Sequence, residues 1–266
     1  MIKSNIHTHT IFSDGKNEPD DIVNAALQEG FVTIGFSDHS FTPFDISYCM
    51  PQENYPLYKK TVSLLKRKYK DKIEILCGTE FDYYSPSEMR EGFDYFITGV
   101  HYVKINREYY PVDGDPKDMQ RAINEGLGGN ENDFVRLYYE NAANCASLSP
   151  LYMAHFDLLT KYGKINDSSD FYKKTALEAL DALLDKDIPI EVNTGALAKG
   201  IKQVPYPADF LLKRIAQRKG SVIFGSDCHD MTKLSFAFEG ALERVKNAGI
   251  KNILEYRSGN LQPVEL

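Results

Sequence analysis

"NIHTHTIFSDG" spans residues 5–15, and its histidine pair decides how the rest of the chain is read. A short apolar stretch around Ile6 runs into the turn residues Ser13, Asp14 and Gly15, the pattern of a strand that ends in a loop. Strand side chains alternate with a period of two, so His7 and His9 point to the same face at that strand's end. "SVIFGSDCHD" (221–230) repeats the arrangement, with Asp227 and His229 two residues apart beyond an apolar run. Cys228 between them points the other way and reads as a packing residue.

Working outward, short β-branched and apolar runs lie at 5–10, 33–37, 73–79, 95–100, 151–155, 189–194 and 222–226, with a weak eighth at 251–256. Amphipathic stretches at 19–29, 53–69, 133–146, 171–185, 207–218 and 235–248 separate most of them. Pro19 opens the first and Gly30 follows its end, as helix termini favour. Segment 80–94 is too short and turn-rich for a helix and reads as a loop or hairpin. Segment 106–132, rich in Gly, Asp, Asn and Tyr, reads as a long lid or substrate loop. Alternating strands and helices predict a mainly parallel sheet with helices outside, built here from seven strands in one domain over residues 1–266.

Composition narrows the function. Hydrophobic content of 42% and charged content of 26% are those of an ordinary globular protein, and 266 residues bury a sizeable core. A net charge of -7 offers no basic surface for nucleic acid or an anionic membrane. No apolar run reaches the ~18–20 residues a membrane span needs, and no signal-peptide pattern opens the chain. The four cysteines show no C-x-x-C pairing, so a cytoplasmic location with free thiols is expected.

The six histidines, His7, His9, His39, His101, His155 and His229, each fall at or just beyond the C-terminal end of a predicted strand. Glu80 and Asp227 occupy the same kind of position. In parallel α/β barrels that edge carries the site. Imidazole and carboxylate ligands suit Zn, Mn or Fe, and no thiolate pattern competes. The set exceeds one coordination shell, so at least two divalent ions are expected and three is the favoured count, with Glu80 or Asp227 bridging.

In sequence order, "HTHTIFSDG", "GFSDHS", "GTEFDY", "TGVHYV", "MAHFDLLTKYG", "EVNTG" and "GSDCHD" resemble the PHP family, named for its polymerase and histidinol phosphatase members. The resemblance implies a distorted (β/α)7 barrel with the metal site at the C-terminal ends of its strands. It implies one ion held by His7, His9, Glu80 and Asp227, and a second by Glu80, His101 and His155. A third falls to His39 and His229 with Asp14, whose competing reading is an Asp-Gly turn with Gly15.

Within the family, "HYVKINREYYPVDG" and "HFDLLTKYG" are similar to single-domain histidinol-phosphate phosphatases, which implies hydrolysis of a small phosphate monoester, L-histidinol phosphate. Those enzymes tend to carry arginine near Lys161 and Lys199, so these lysines are the candidates for holding phosphate here, as point charges. Asp157, two residues past His155, is a candidate proton donor or a support for a metal-bound histidine. The substrate's ammonium and imidazole would fall to segment 106–132, with Tyr110 and Asp113 as candidates. Alternative readings are hydrolysis of nucleoside monophosphates or other small esters, an amidohydrolase-like reaction, and a non-catalytic metal-binding module. The second lacks its usual lysine at the strand end of Glu80.

Overall fold

The computed structural model describes residues 2–266. Its first half runs β1 (Ser4–Asn5), α1 (Pro19–Gln28), β2 (Thr33–Phe36), α2 (Tyr55–Lys68), β3 (Glu74–Asp82), β4 (Tyr95–Gly99), β5 (Tyr102–Ile105) and β6 (Glu108–Pro111). Then follow α3 (Pro116–Arg121), α4 (Glu131–Asn144), α5 (Asp170–Leu184), β7 (Ile190–Asn193), α6 (Gly195–Ala198), α7 (Asp209–Gln217), β8 (Val222–Gly225), α8 (Phe238–Asn247), β9 (Asn252–Arg257) and β10 (Asn260–Glu265). The architecture is mixed α/β. A curled, half-barrel parallel sheet holds four strands in the order β1-β2-β3-β4. A second sheet has the order β10-β9-β8-β7, parallel except for the antiparallel pair β9–β10.

Single parallel bridges extend these sheets. Met153 bridges Thr98 on β4 and Ile190 on β7, and Thr8 bridges Cys228 beyond β8. The two faces of the strands pack differently, as the period of two requires. On β3, Ile75 and Cys77 join the large core that includes the helices, whereas Leu76 joins Ile6, Tyr95, Ile97, Tyr152, Ala154 and Ile223 in a separate cluster. Glu80 shares the alternation of Leu76, so the strand carries it from an apolar layer to the site.

Several expectations need correction. The run at 5–10 narrows to the two residues of β1 and the bridge at Thr8. The strand expected at 151–155 contracts to the bridge at Met153, because His155 takes φ 25° and turns the chain out of extended conformation. The weak eighth strand is β9, and β10 beside it was hidden because half of its six residues are polar and one is a proline. β3 runs on to Asp82, and a short 3-10 turn at Ser87–Arg90 follows it. Segment 106–132, expected as a long lid or substrate loop, carries regular structure, and its Pro111, Asp113, Gly114 and Asp118 line the cavity described below. It holds β6, α3 and a π-helical turn at Ala122–Gly126, because Tyr110, Val112, Met119 and Ile123 bury themselves and Asp115 caps α3 by accepting from Lys117 N–H. All four cysteines are free and buried, Cys228 within the core. Among the described residues no helix is long and apolar enough to cross a membrane.

Candidate metal centre

Glu80 is the hub of the site. Its Oε2 lies 3.3 Å from His7 Nε2, 3.5 Å from His9 Nε2 and 3.1 Å from His39 Nδ1. Its Oε1 lies 2.7 Å from His155 Nε2 and 3.2 Å from His101 Nε2. Asp227 Oδ1 stands 3.1 Å from His9 Nε2 and 3.6 Å from His7 Nε2. On the solvent side Asp14 Oδ2 meets His229 Nε2 at 3.0 Å, and Asp14 Oδ1 lies 3.8 Å from both His9 Nδ1 and His39 Nε2. Thus all nine metal ligands expected from sequence converge, and they fall into overlapping groups: His9, Asp14, His39 and His229; His7, His9 and Asp227; His7, Glu80 and His155; His39, Glu80 and His101.

The donor atoms fit cations. His7 Nε2, both ring nitrogens of His9, His155 Nδ1 and Glu80 Oε2 are buried without a hydrogen-bond partner. Buried polar atoms are costly when unpaired, and so many together are explained by cations that take their lone pairs. Two of the candidate ligands also sit in strained backbone: His155 has φ 25° and Asp227 φ 49°. Such left-handed conformations cost roughly 1–3 kcal/mol and persist where the surroundings impose them.

A supporting layer holds the ligands, and most of it was missed in the sequence. Glu191 on β7 is wholly buried and accepts from His7 Nδ1 at 2.6 Å and from His155 N–H at 3.0 Å. Its sequence signal was a lone acid inside the apolar run "IPIEVN". Asn193 links that carboxylate to Asp227, donating to Glu191 Oε2 at 2.8 Å and to Asp227 Oδ2 at 3.4 Å. Asp82 Oδ2 lies 3.2 Å from His101 Nδ1, on the face of β3 that Glu80 occupies. Asp38 accepts from Thr10 N–H at 2.8 Å and Ser13 hydroxyl at 2.6 Å, which shapes the loop carrying Asp14. Gly225 has no room for a side chain, since a Cβ there would fall 1.8 Å from Glu191 Oε1.

The field of the site follows from burial and charge. Burial pulls His7 and His101 down. The carboxylates of Glu191, Glu80 and Asp227 outweigh it at His7, and Glu80 with Asp82 at His101, holding both well above the usual histidine value. Burial pushes His9 down to about 4, aided by His229 and His39. It also pushes His39 to about 4 against the pull of Glu80 and Asp14. Burial would raise Glu80, Asp14 and Asp227, but the surrounding histidines hold all three below the usual carboxylate range.

A cavity of about 370 Å³ opens onto this cluster and is lined by Tyr48, Tyr102, Asp113, Lys161, Lys199 and Tyr206 among others. Lys161 is nearly buried and its Nζ donates to the Asp113 carbonyl at 3.0 Å and to Asp113 Oδ2 at 3.1 Å. Lys199 lines the same cavity from the C-terminal end of α6. Asp157 is not brought there. Its carboxylate is buried, Oδ2 accepts from Ala208 N–H at 3.1 Å, Oδ1 has no partner, and no bond reaches a histidine ring. Tyr110 is likewise off the cavity, its hydroxyl donating to Glu108 Oε2 at 2.6 Å.

The family model described as "PHP domain" matches residues 5–195. The chain is 24% identical to a protein named probable histidinol-phosphatase from Schizosaccharomyces pombe, over 97% of this chain and 90% of that one. It is 27% identical to a histidinol-phosphatase from Bacillus subtilis, over 92% of this chain and all of that one. Its fold superposes with a TM-score of 0.75 on histidinol phosphate phosphatase from Lactococcus lactis, solved with zinc, L-histidinol and phosphate. There the identity is 23% and the coverage is 98% of each chain.

Proposed function

The chain belongs to the PHP domain family, and on that premise we propose that it is a metal-dependent phosphomonoesterase converting L-histidinol phosphate to L-histidinol and phosphate. One observation carries the reading: a single buried carboxylate, Glu80, has ring nitrogens of five histidines within 3.5 Å, and three of those histidines line a cavity that has two lysines in its wall. The names of the curated relatives support the choice of substrate.

Three divalent ions (Zn, Mn or Fe) are the occupancy we assign. His7, His9, Glu80 and Asp227 hold the first, Glu80, His101 and His155 the second, and Asp14, His39 and His229 the third. Bound ions of this kind supply Lewis acidity and a nucleophilic water near neutral pH. The chain's own residues do the rest. Glu191 and Asp82 fix the ring orientation and tautomer of His7 and His101, so that the opposite nitrogens face inward. Lys161 and Lys199 bring positive charge to the phosphate, whose loose transition state is stabilised mainly by positioning and electrostatics.

We read the bridges at Met153 and Thr8 as the closing seams of a distorted (β/α)7 barrel, residues 1–266 as one domain, and the cytoplasm as its location. The partner is a small phosphorylated metabolite, not nucleic acid or membrane. The deciding experiment measures kcat/KM of the metal-loaded protein for L-histidinol phosphate, AMP and a dinucleotide. At least a hundredfold preference for the first is expected. Equal turnover of AMP overturns the substrate assignment, and metal binding without turnover of any ester overturns the enzyme reading.

A further inference from the structure

We propose that Asn5 is a positioning residue: its amide staples both ends of the 226–234 loop to β1 and so holds Asp227 against His7 and His9. This rests on the metal-dependent reading above. Asn5 is wholly buried on β1 and shares the alternation of His7 and His9. Its polar atoms are spent on the chain itself. Oδ1 accepts from His7 N–H at 3.2 Å and from Ser226 N–H at 3.4 Å. Nδ2 donates to Ser226 Oγ at 2.6 Å and to the Leu234 carbonyl at 3.0 Å. An amide supplies an acceptor and two donors at one side-chain end, which neither a carboxylate nor an apolar side chain does.

The two loop partners of Asn5 flank the residues that face the cluster. Ser226 precedes Asp227, whose φ is 49°, and Leu234 is the buried residue after the 3-10 turn Met231–Lys233. Backbone bonds complete the seam. Asp227 N–H donates to the His7 carbonyl at 3.0 Å, His9 N–H to the Cys228 carbonyl at 3.0 Å, and Lys16 N–H to the His229 carbonyl at 2.9 Å. Ser226 Oγ, held by Asn5, reaches the same His7 carbonyl at 3.4 Å. The register of this seam sets Asp227 Oδ1 at 3.1 Å from His9 Nε2 and 3.6 Å from His7 Nε2. A residue with a Cβ resists the left-handed conformation, so Asp227 needs its flanks fixed, and Asn5 fixes both. His101 and His155 meet the other oxygen of Glu80, outside this seam. Loss of the staple therefore falls on the ion between β1 and the loop, and spares the one at His101 and His155.

The test measures each zinc dissociation constant by chelator competition in the full chain, for wild type, Asn5→Ala, Asp227→Asn and the double variant. Asn5→Ala is expected to weaken at least tenfold the same ion that Asp227→Asn weakens, and to leave the others within threefold. In the double variant Asn5→Ala is expected to add less than threefold to the loss from Asp227→Asn, because the staple acts through that carboxylate. Equal weakening of all ions, unchanged affinities, or losses that multiply in the double variant overturn the proposal. If Asn5→Ala does not fold, Ser226→Ala cuts one arm of the staple and is expected to weaken that same ion alone, at least threefold; no selective loss there overturns the proposal too. A wild-type chain that binds no divalent ion overturns the function proposed above and this role with it, whereas metal binding insensitive to Asn5 overturns this role only.

Discussion

Glu191 Oε1 lies 2.6 Å from His7 Nδ1, and both side chains are wholly buried. The carboxylate faces the nitrogen turned away from the ligand cluster, so it sets which nitrogen of His7 keeps a lone pair for a cation. Such outer carboxylates raise ligand basicity, and their removal typically costs about 10–100-fold in metal affinity. Glu191→Ala is therefore expected to weaken binding of the tightest ion by that factor, measured by competition with a chelator. Glu191→Gln keeps the acceptor and loses less. Unchanged affinity in Glu191→Ala would show that His7 is oriented by other contacts.

Protons and cations compete for the same atoms, which gives the centre a pH dependence of definite sign. In the metal-free chain Glu80, Asp14 and Asp227 are held below the usual carboxylate range. Their contribution to stability is present above the unfolded values and is lost as pH falls below about 4. His7 and His101 are held above the usual histidine value. Their contribution is complete below about 6.5 and is lost as pH rises through the folded values. Metal ligation needs the neutral rings, so the gap in melting temperature between metal-loaded and metal-stripped protein is expected to widen as pH rises from about 5 to 8. A gap independent of pH would mean that these histidines do not ligate.

Lys199 and Lys161 line one cavity but are not equivalent. Lys161 is engaged by Asp113, whereas Lys199 makes no side-chain hydrogen bond among the described residues and is free to meet an anion. A hydrogen bond to a charged group contributes about 1.5–3 kcal/mol. Lys199→Met is therefore expected to weaken inhibition by inorganic phosphate roughly tenfold, with the melting temperature within about 2 °C of wild type. Equal inhibition in the two proteins would remove Lys199 from the phosphate site.

The candidate ligands were legible because strand alternation and position at strand ends are local signals: "HTH" and "DCH" each place two donors on one face without knowledge of the fold. The supporting residues were not, because their roles depend on pairings across the sheet. Glu191 meets His7 from a strand 184 residues away. Asp82 had a usable signal, being two residues past Glu80 on the same face, and its significance emerges only with His101 beside it. The secondary structure within segment 106–132 was not legible because polar turn residues dominate its composition, while its few apolar residues suffice to fold a hairpin and a short helix once the core receives them. The strand expected at 151–155 contracts to the bridge at Met153, since the backbone leaves the extended conformation at His155.

Asp157 separates proximity in sequence from proximity in space. Strand period carried from His155 suggested a proton donor, yet its carboxyl lies off the cavity and bonds Ala208 N–H. Burial pushes its pKa up to about 6. For a carboxyl raised in this way the favourable contribution is present below the unfolded pKa and is lost as pH rises through about 6. The ionised form thus destabilises the fold at neutral pH, by an amount on the order of 2–3 kcal/mol. Asp157→Asn removes that cost and retains an oxygen for Ala208. It is expected to equal or exceed wild type in melting temperature at pH about 7.5 and to lose the advantage near pH 5, while kcat stays within about tenfold and its pH profile keeps both limbs. A hundredfold fall in kcat with the alkaline limb abolished would restore Asp157 as the proton donor, and would require the 155–160 segment to move toward the cavity when substrate binds.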